Sequence, residues 1–196
     1  MEALGGPRER LRVTTAQALP FADIAHPVAV GIAFGGYTEK LKIGDVLFAN
    51  RVIAYEPARK QAGGDRARGP QTEPGPLLLN RFRNVVGWRF ERPDGLLCAI
   101  AEGPLLSGEK LVDDLDFKEE LFTEFPESIG GEMEGAGIAA TSEKLKVEWI
   151  IVKAVCDWGD GTKGKTYQPL AAAAAASLVA HVVSAQASLA DLPRRA

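Results

Sequence analysis

Two carboxylates set the chemistry open to this chain. Glu134 lies in residues 130–140, GGEMEGAGIAA, where Glu132 and Glu134 flank Met133 and small residues follow at once. Asp157 ends the apolar run 149–157, WIIVKAVCD, and leads into Trp158 and a Gly-rich loop. Breaking a bond to a sugar's anomeric carbon builds positive charge on the ring and negative charge on the leaving group. Two acids in different surroundings serve both needs. An ionised carboxylate holds the ribose hydroxyls near the cationic ring, and a protonated one gives its proton to the departing group. Glu134 suits the first role, because the Met133 side chain can pack under a sugar while the acid reaches its edge. Asp157, between Cys156 and Trp158, suits the second, since apolar surroundings favour a neutral acid. The same residues admit a plainer reading, in which Glu134 complements a helix dipole and Asp157 caps a turn.

Other chemistries find less support. His26 precedes a proline and His181 sits in an Ala-rich stretch far away, so no metal site is expected. Cys98 and Cys156 occupy apolar runs without metal or disulfide spacing, and an acid beside Cys156 discourages a thiolate. Both read as core residues of a protein kept in a reducing, cytoplasmic compartment. A net charge of -3, with no basic stripe interleaved with aromatics, argues against a nucleic-acid partner. The N-terminus lacks a continuous apolar stretch, and the longest such run, 170–183, is broken by Ser177 and His181, so no membrane segment is expected.

A chain of 196 residues, 46% of them hydrophobic, suits one core, and we place a single domain at 13–187 with loose ends at 1–12 and 188–196. A short helix over 13–19 stops at Pro20. The run 28–33, VAVGIA, hardly alternates and predicts a strand buried on both faces, ending in Phe34, Gly35 and Gly36. A long strand spans 46–55. Residues 56–76, rich in Gly, Pro and charge, predict a mobile loop or lid. A helix over 77–85 and a strand over 96–102 follow, then a loop over 103–114. The next helix, 115–125, places Leu115, Leu121, Phe122 and Phe125 on one side and stops at Pro126. The acidic turn opens a helix, helical from about 138, before a strand over 149–156 and a C-terminal helix over 169–187. Strands alternating with helices predict an α/β sheet covered on both faces.

Five blocks appear in the order and rough spacing of the nucleoside phosphorylase superfamily: GIAFGG at 31–36, KIGDVLFANRVIAYE at 42–56, GPLLSGEKLVDD at 103–114, GGEMEGAGIAA at 130–140 and WIIVKAVCDWGDG at 149–161. The chain resembles the nucleosidase branch, which includes the 5'-methylthioadenosine/S-adenosylhomocysteine nucleosidases. It also resembles the phosphorylase-like domains attached to bacterial signalling and defence proteins. The resemblance implies a three-layer α/β fold, with a central mixed, partly barrel-like sheet flanked by helices. It implies cleavage of the N-glycosidic bond of an adenine nucleoside, no cofactor, and a homo-oligomer. Glu134 would bind the ribose hydroxyls, Met133 would pack on the sugar, and Asp157 would face the purine and drive its departure. Ala33, Phe34 and Gly35, with Ser107 and Gly108, would line the pocket, and Trp158 or Phe34 would supply stacking.

Three departures follow from the same resemblance. Cys156 stands where nucleosidases usually have Ser, which removes a hydrogen bond to the acid. Leu111 and Val112 stand where an aromatic usually covers the base. The family's opening strand and helix, which supply a Glu to activate water or a Gly and Arg to hold phosphate, are not seen, so an N-terminally truncated fold is expected. Phosphorolysis, or a non-catalytic nucleoside or nucleotide sensor, are the alternative expectations.

Overall fold

The computed structural model describes residues 26–184, apart from 38, 62, 63 and 163. The expected helix over 13–19 and both loose ends lie outside the described residues. The strands are β1 (Val28–Gly35), β2 (Val46–Ala54), β3 (Ala58–Gln61), β4 (Gly64–Ala67), β5 (Gln71–Thr72), β6 (Ile100–Ser107), β7 (Gly130–Glu132) and β8 (Ile150–Asp157). The helices are α1 (Pro76–Arg83), α2 (Leu115–Glu124), α3 (Gly135–Leu145) and α4 (Gln168–Ser184).

The main sheet runs β5-β2-β6-β7-β1-β8, and a further β2–β8 pairing brings its ends together. β2, β6, β7, β1 and β8 therefore form a closed, barrel-like sheet. The ladders are mixed: β1 with β8, β2 with β6 and β6 with β7 are parallel, whereas β1 with β7 and β2 with β8 are antiparallel. β8 explains the closure, since all of its residues are buried and it needs partners on both edges. β7 is short and pairs with β1 only through Phe34 with Gly131 and Gly35 with Gly130. Closure on that side thus lies at the C-terminal ends of β1 and β6, where the site is built.

Alternation along β8 divides the interior in two. Ile150, Val152, Ala154 and Cys156 join a cluster with Leu178, Val179 and Val182 of α4, whose alanines allow a close approach to the sheet. Ile151 and Val155 point the other way, into the barrel, with Leu47, Val52 and Leu105. No helix among the described residues is long and apolar enough to cross a membrane.

Three elements differ from the sequence reading. Residues 56–76 carry strands: β3 and β4 pair as a hairpin, and β5 adds to β2 through Thr72 opposite Val52. Residues 103–107, expected in a loop, belong to β6, because β2 offers a full parallel ladder through Ser107 opposite Ala54. On α2, Leu115 is exposed and Lys118 is buried instead, its ammonium 5.9 Å from the centroids of Phe122 and Trp158.

Candidate active site

The turn from β7 into α3 sets the first carboxylate. Glu132, with a fully buried side chain, accepts the backbone N–H of Glu134 at 3.0 Å and of Gly135 at 2.9 Å. Ser107 Oγ accepts the N–H of Ala136 at 2.8 Å. The first two N–H groups of α3 are satisfied by these two residues, although Glu134 holds the N-cap position and makes no side-chain cap bond. The plainer, helix-capping reading therefore belongs to Glu132, and Glu134 is free for another partner.

That partner is Lys153. Its Nζ lies 2.6 Å from Glu134 Oε2 and 3.2 Å from Glu132 Oε2, with the lysine side chain 5% exposed. Burial alone would push the Lys153 ammonium down, but the two glutamates outweigh it and hold it above the usual lysine range. Burial likewise opposes the charge on Glu134, yet the facing lysine and local hydrogen bonds hold its carboxyl below the usual carboxylate range. Glu134 is 43% exposed at its side chain, so a fixed, ionised carboxylate is presented to whatever enters.

Asp157 comes from the far side of β1. The β1–β8 register shifts there, with Ala33 opposite Val155 and Phe34 opposite Asp157, so Cys156 is the extra residue of a bulge. Bulges re-aim side chains, and this one turns the buried Asp157 into the cleft. Asp157 Oδ1 accepts the N–H of Gly159 at 3.0 Å, the turn contact of the plainer reading, and Cys156 Sγ donates to Oδ2 at 3.1 Å. The expected loss of a bond at Cys156 is thus corrected: the thiol keeps it, as a weaker donor than a hydroxyl.

Glu134 and Asp157 open on one cleft of about 180 Å³. Ile32, Ala33, Phe34, Leu111 and Val112 give it apolar walls, and Lys110, Gly131, Glu132, Met133 and Cys156 complete the lining. Of the residues expected there, Ala33, Phe34, Met133, Glu134 and Asp157 converge. Gly35, Ser107, Gly108 and Trp158 lie outside the lining and act behind it. The Trp158 ring covers Gly35, where a Cβ would come within 2.6 Å of Cζ3, which leaves Phe34 as the aromatic on the cleft. Ser107 is buried under the start of α3, and Gly108 makes room for Tyr55, whose ring would meet a Cβ there at 2.4 Å. Lys153 and Lys110 escaped the sequence reading. The signal for Lys153 was present, since a lysine inside WIIVKAVC is buried on every side and requires an anionic partner.

A mixed, barrel-like α/β sheet thus carries an anionic cleft at one end. The model of the phosphorylase superfamily matches residues 8–186, and the chain belongs to that superfamily. Over 173 residues it is 34% identical to a death domain-containing ATP nucleosidase of Amphimedon queenslandica, a match covering 79% of this chain and 32% of that protein. Over 148 residues it is 24% identical to a 5'-methylthioadenosine/S-adenosylhomocysteine nucleosidase of Haemophilus influenzae strain PittGG, covering 74% of this chain and 63% of the relative. The fold matches the solved 5'-methylthioadenosine/S-adenosylhomocysteine nucleosidase of Neisseria meningitidis in complex with methylthio-immucillin-A. That likeness has a TM-score of 0.66 at 24% identity, over 84% of this chain and 71% of the other. The chain therefore spans less than two thirds of the length of both curated relatives.

Proposed function

We propose that the chain is a nucleosidase that cleaves the N-glycosidic bond of an adenine nucleoside or nucleotide. The observation that carries the reading is the convergence of two unlike acids on one cleft: Glu134, held ionised by Lys153, and Asp157, buried at a strand end. Glu134 accepts the ribose hydroxyls and lies beside the ring as it gains oxocarbenium character. Asp157 gives a proton to the base as it leaves with the bond pair, water adds to the anomeric carbon and releases a proton to solvent, and Cys156 and the Gly159 N–H orient the Asp157 carboxyl. Phe34, Leu111 and Val112 keep the base side apolar, so that charge forming there is met by protein groups and not by bulk water. The relatives' names, ATP nucleosidase and 5'-methylthioadenosine/S-adenosylhomocysteine nucleosidase, support the same bond cleavage.

The test is adenine release from adenosine, 5'-methylthioadenosine and ATP, with and without phosphate in the buffer. Release without phosphate supports hydrolysis over phosphorolysis. Asp157→Asn should reduce turnover by about 10²- to 10⁴-fold, the usual worth of a general acid, while calorimetry still detects nucleoside binding. Undiminished turnover in that variant removes Asp157 from the chemistry. Binding without base release by the wild-type chain would instead leave a nucleoside-sensing module.

A further inference from the structure

Among the described residues lining the cleft, Glu132, Glu134 and Asp157 are anionic and Lys110 is the one cation. Lys153 already pairs with Glu132 and Glu134, one ammonium against two carboxylates, and the lining itself adds only the cation of Lys110. Its backbone is fixed from both directions. Glu56 accepts the N–H groups of Glu109 at 3.0 Å and Lys110 at 3.1 Å, and the Tyr55 hydroxyl donates to the Lys110 carbonyl at 3.4 Å. Burial, with Glu56 and Glu132 nearby, pushes the Tyr55 phenol up to about 12, so it remains a donor. The Lys110 ammonium lies 5.9 Å from the Phe117 ring centroid, which shields one of its sides. A clamped main chain thus holds one cationic residue on the lining of an otherwise acidic cleft. A neutral nucleoside offers it nothing, whereas a substrate bearing an anionic group must meet compensating charge among these carboxylates.

We propose that Lys110 is the specificity-determining residue of this cleft, pairing with an anionic substituent, phosphate or carboxylate, on the nucleoside. The proposal rests on the nucleosidase reading above, and the experiment separates the two. Base release is measured from 5'-methylthioadenosine as the neutral substrate, AMP and ATP as phosphates, and adenosine-5'-carboxylic acid as the carboxylate. These are compared in wild type, Lys110→Ala and Lys110→Arg. The ratio of anionic to neutral kcat/KM should fall about tenfold in Lys110→Ala, the scale of a charge-assisted hydrogen bond at a partly exposed site, and recover in Lys110→Arg. A fall confined to the phosphates or to the carboxylate supports the proposal and fixes the class. A ratio within about twofold of wild type in Lys110→Ala overturns it, as does an equal loss on neutral and anionic substrates. If wild type releases base from none of them, the nucleosidase reading fails. Calorimetric Kd values for ATP and 5'-methylthioadenosine in wild type and Lys110→Ala then decide the Lys110 proposal by the same ratio.

Discussion

Replacing Lys153 by Met keeps the length and apolar stem of the side chain and deletes only its charge, which strands Glu132 in the barrel. The lysine is 5% exposed and the Glu132 side chain 0%, so their 3.2 Å contact is shielded from water. Removing one partner of such a pair costs about 3–5 kcal/mol, because the other charge stays buried without compensation. Glu132 keeps the N–H groups of Glu134 and Gly135, and Glu134 is 43% exposed and falls back on solvent. Both features place the loss near the lower end, about 3 kcal/mol. For a chain of this size that lowers Tm by roughly 6–12 °C. Differential scanning calorimetry reads it directly. Glu132→Gln combined with Lys153→Met should recover part of the loss, since it removes the stranded charge, with a coupling of about 1–3 kcal/mol across the cycle. A Lys153→Met protein that melts within about 2 °C of wild type would refute the buried strut.

The same variant carries a pH signature. The Glu134 carboxyl lies below the ordinary glutamate pKa of 4.5, so its contribution is present above that value and lost as pH falls through the lowered one. The Lys153 ammonium lies above the ordinary lysine pKa of 10.5, so its contribution is present below that value and lost as pH rises through the raised one. The pair is intact throughout the interval between those two ordinary values. Without Lys153 the Glu134 carboxyl climbs, and the acid limb of kcat/KM should move to higher pH.

Two further outcomes follow from the local geometry. Gly131→Ala places a Cβ 2.3 Å from Phe34 Cζ, so the ring must leave the cleft wall; a stability loss of about 1–3 kcal/mol and a raised KM are expected from urea melts and steady-state kinetics. Cys156→Ala deletes the thiol donor to Asp157 and should lower kcat by about tenfold at most, with Cys156→Ser at or above wild type, because a hydroxyl is the stronger donor.

Much of this arrangement was legible in the sequence. The apolar runs at 28–33 and 149–156 marked the two buried strands, because a strand covered on both faces cannot alternate. Glu134, Met133 and Asp157 stood out as polar or soft residues beside small ones, and all three line the cleft. What escaped depends on distant partners. Residues 103–107 are strand because of β2, and 71–72 for the same reason, so neither stretch carries its own signal. The helix-start role, read onto Glu134 as the plainer alternative, falls to Glu132, whose contacts with the N–H groups of Glu134 and Gly135 only the folded turn shows. The wall at 110–112 owes its place to Glu56 and Tyr55, more than fifty positions earlier.

The separation of the two acids follows from strand order. At the level of Phe34, β1 has Gly131 of β7 on one edge and Asp157 of β8 on the other. Neighbouring strands lie about 4.8 Å apart, so the β7 and β8 backbones on either side of Phe34 stand about 10 Å apart. β7 reaches that position through two ladder pairs only, and both use glycine. A Cβ at Gly130 would stand 2.5 Å from the Phe34 carbonyl oxygen, a backbone atom that cannot turn aside, so a side chain there would drive β7 off β1. The site is therefore only as well formed as this short ladder. The paired glycines before Glu132 are what allow Glu134 to face Asp157 across a single strand.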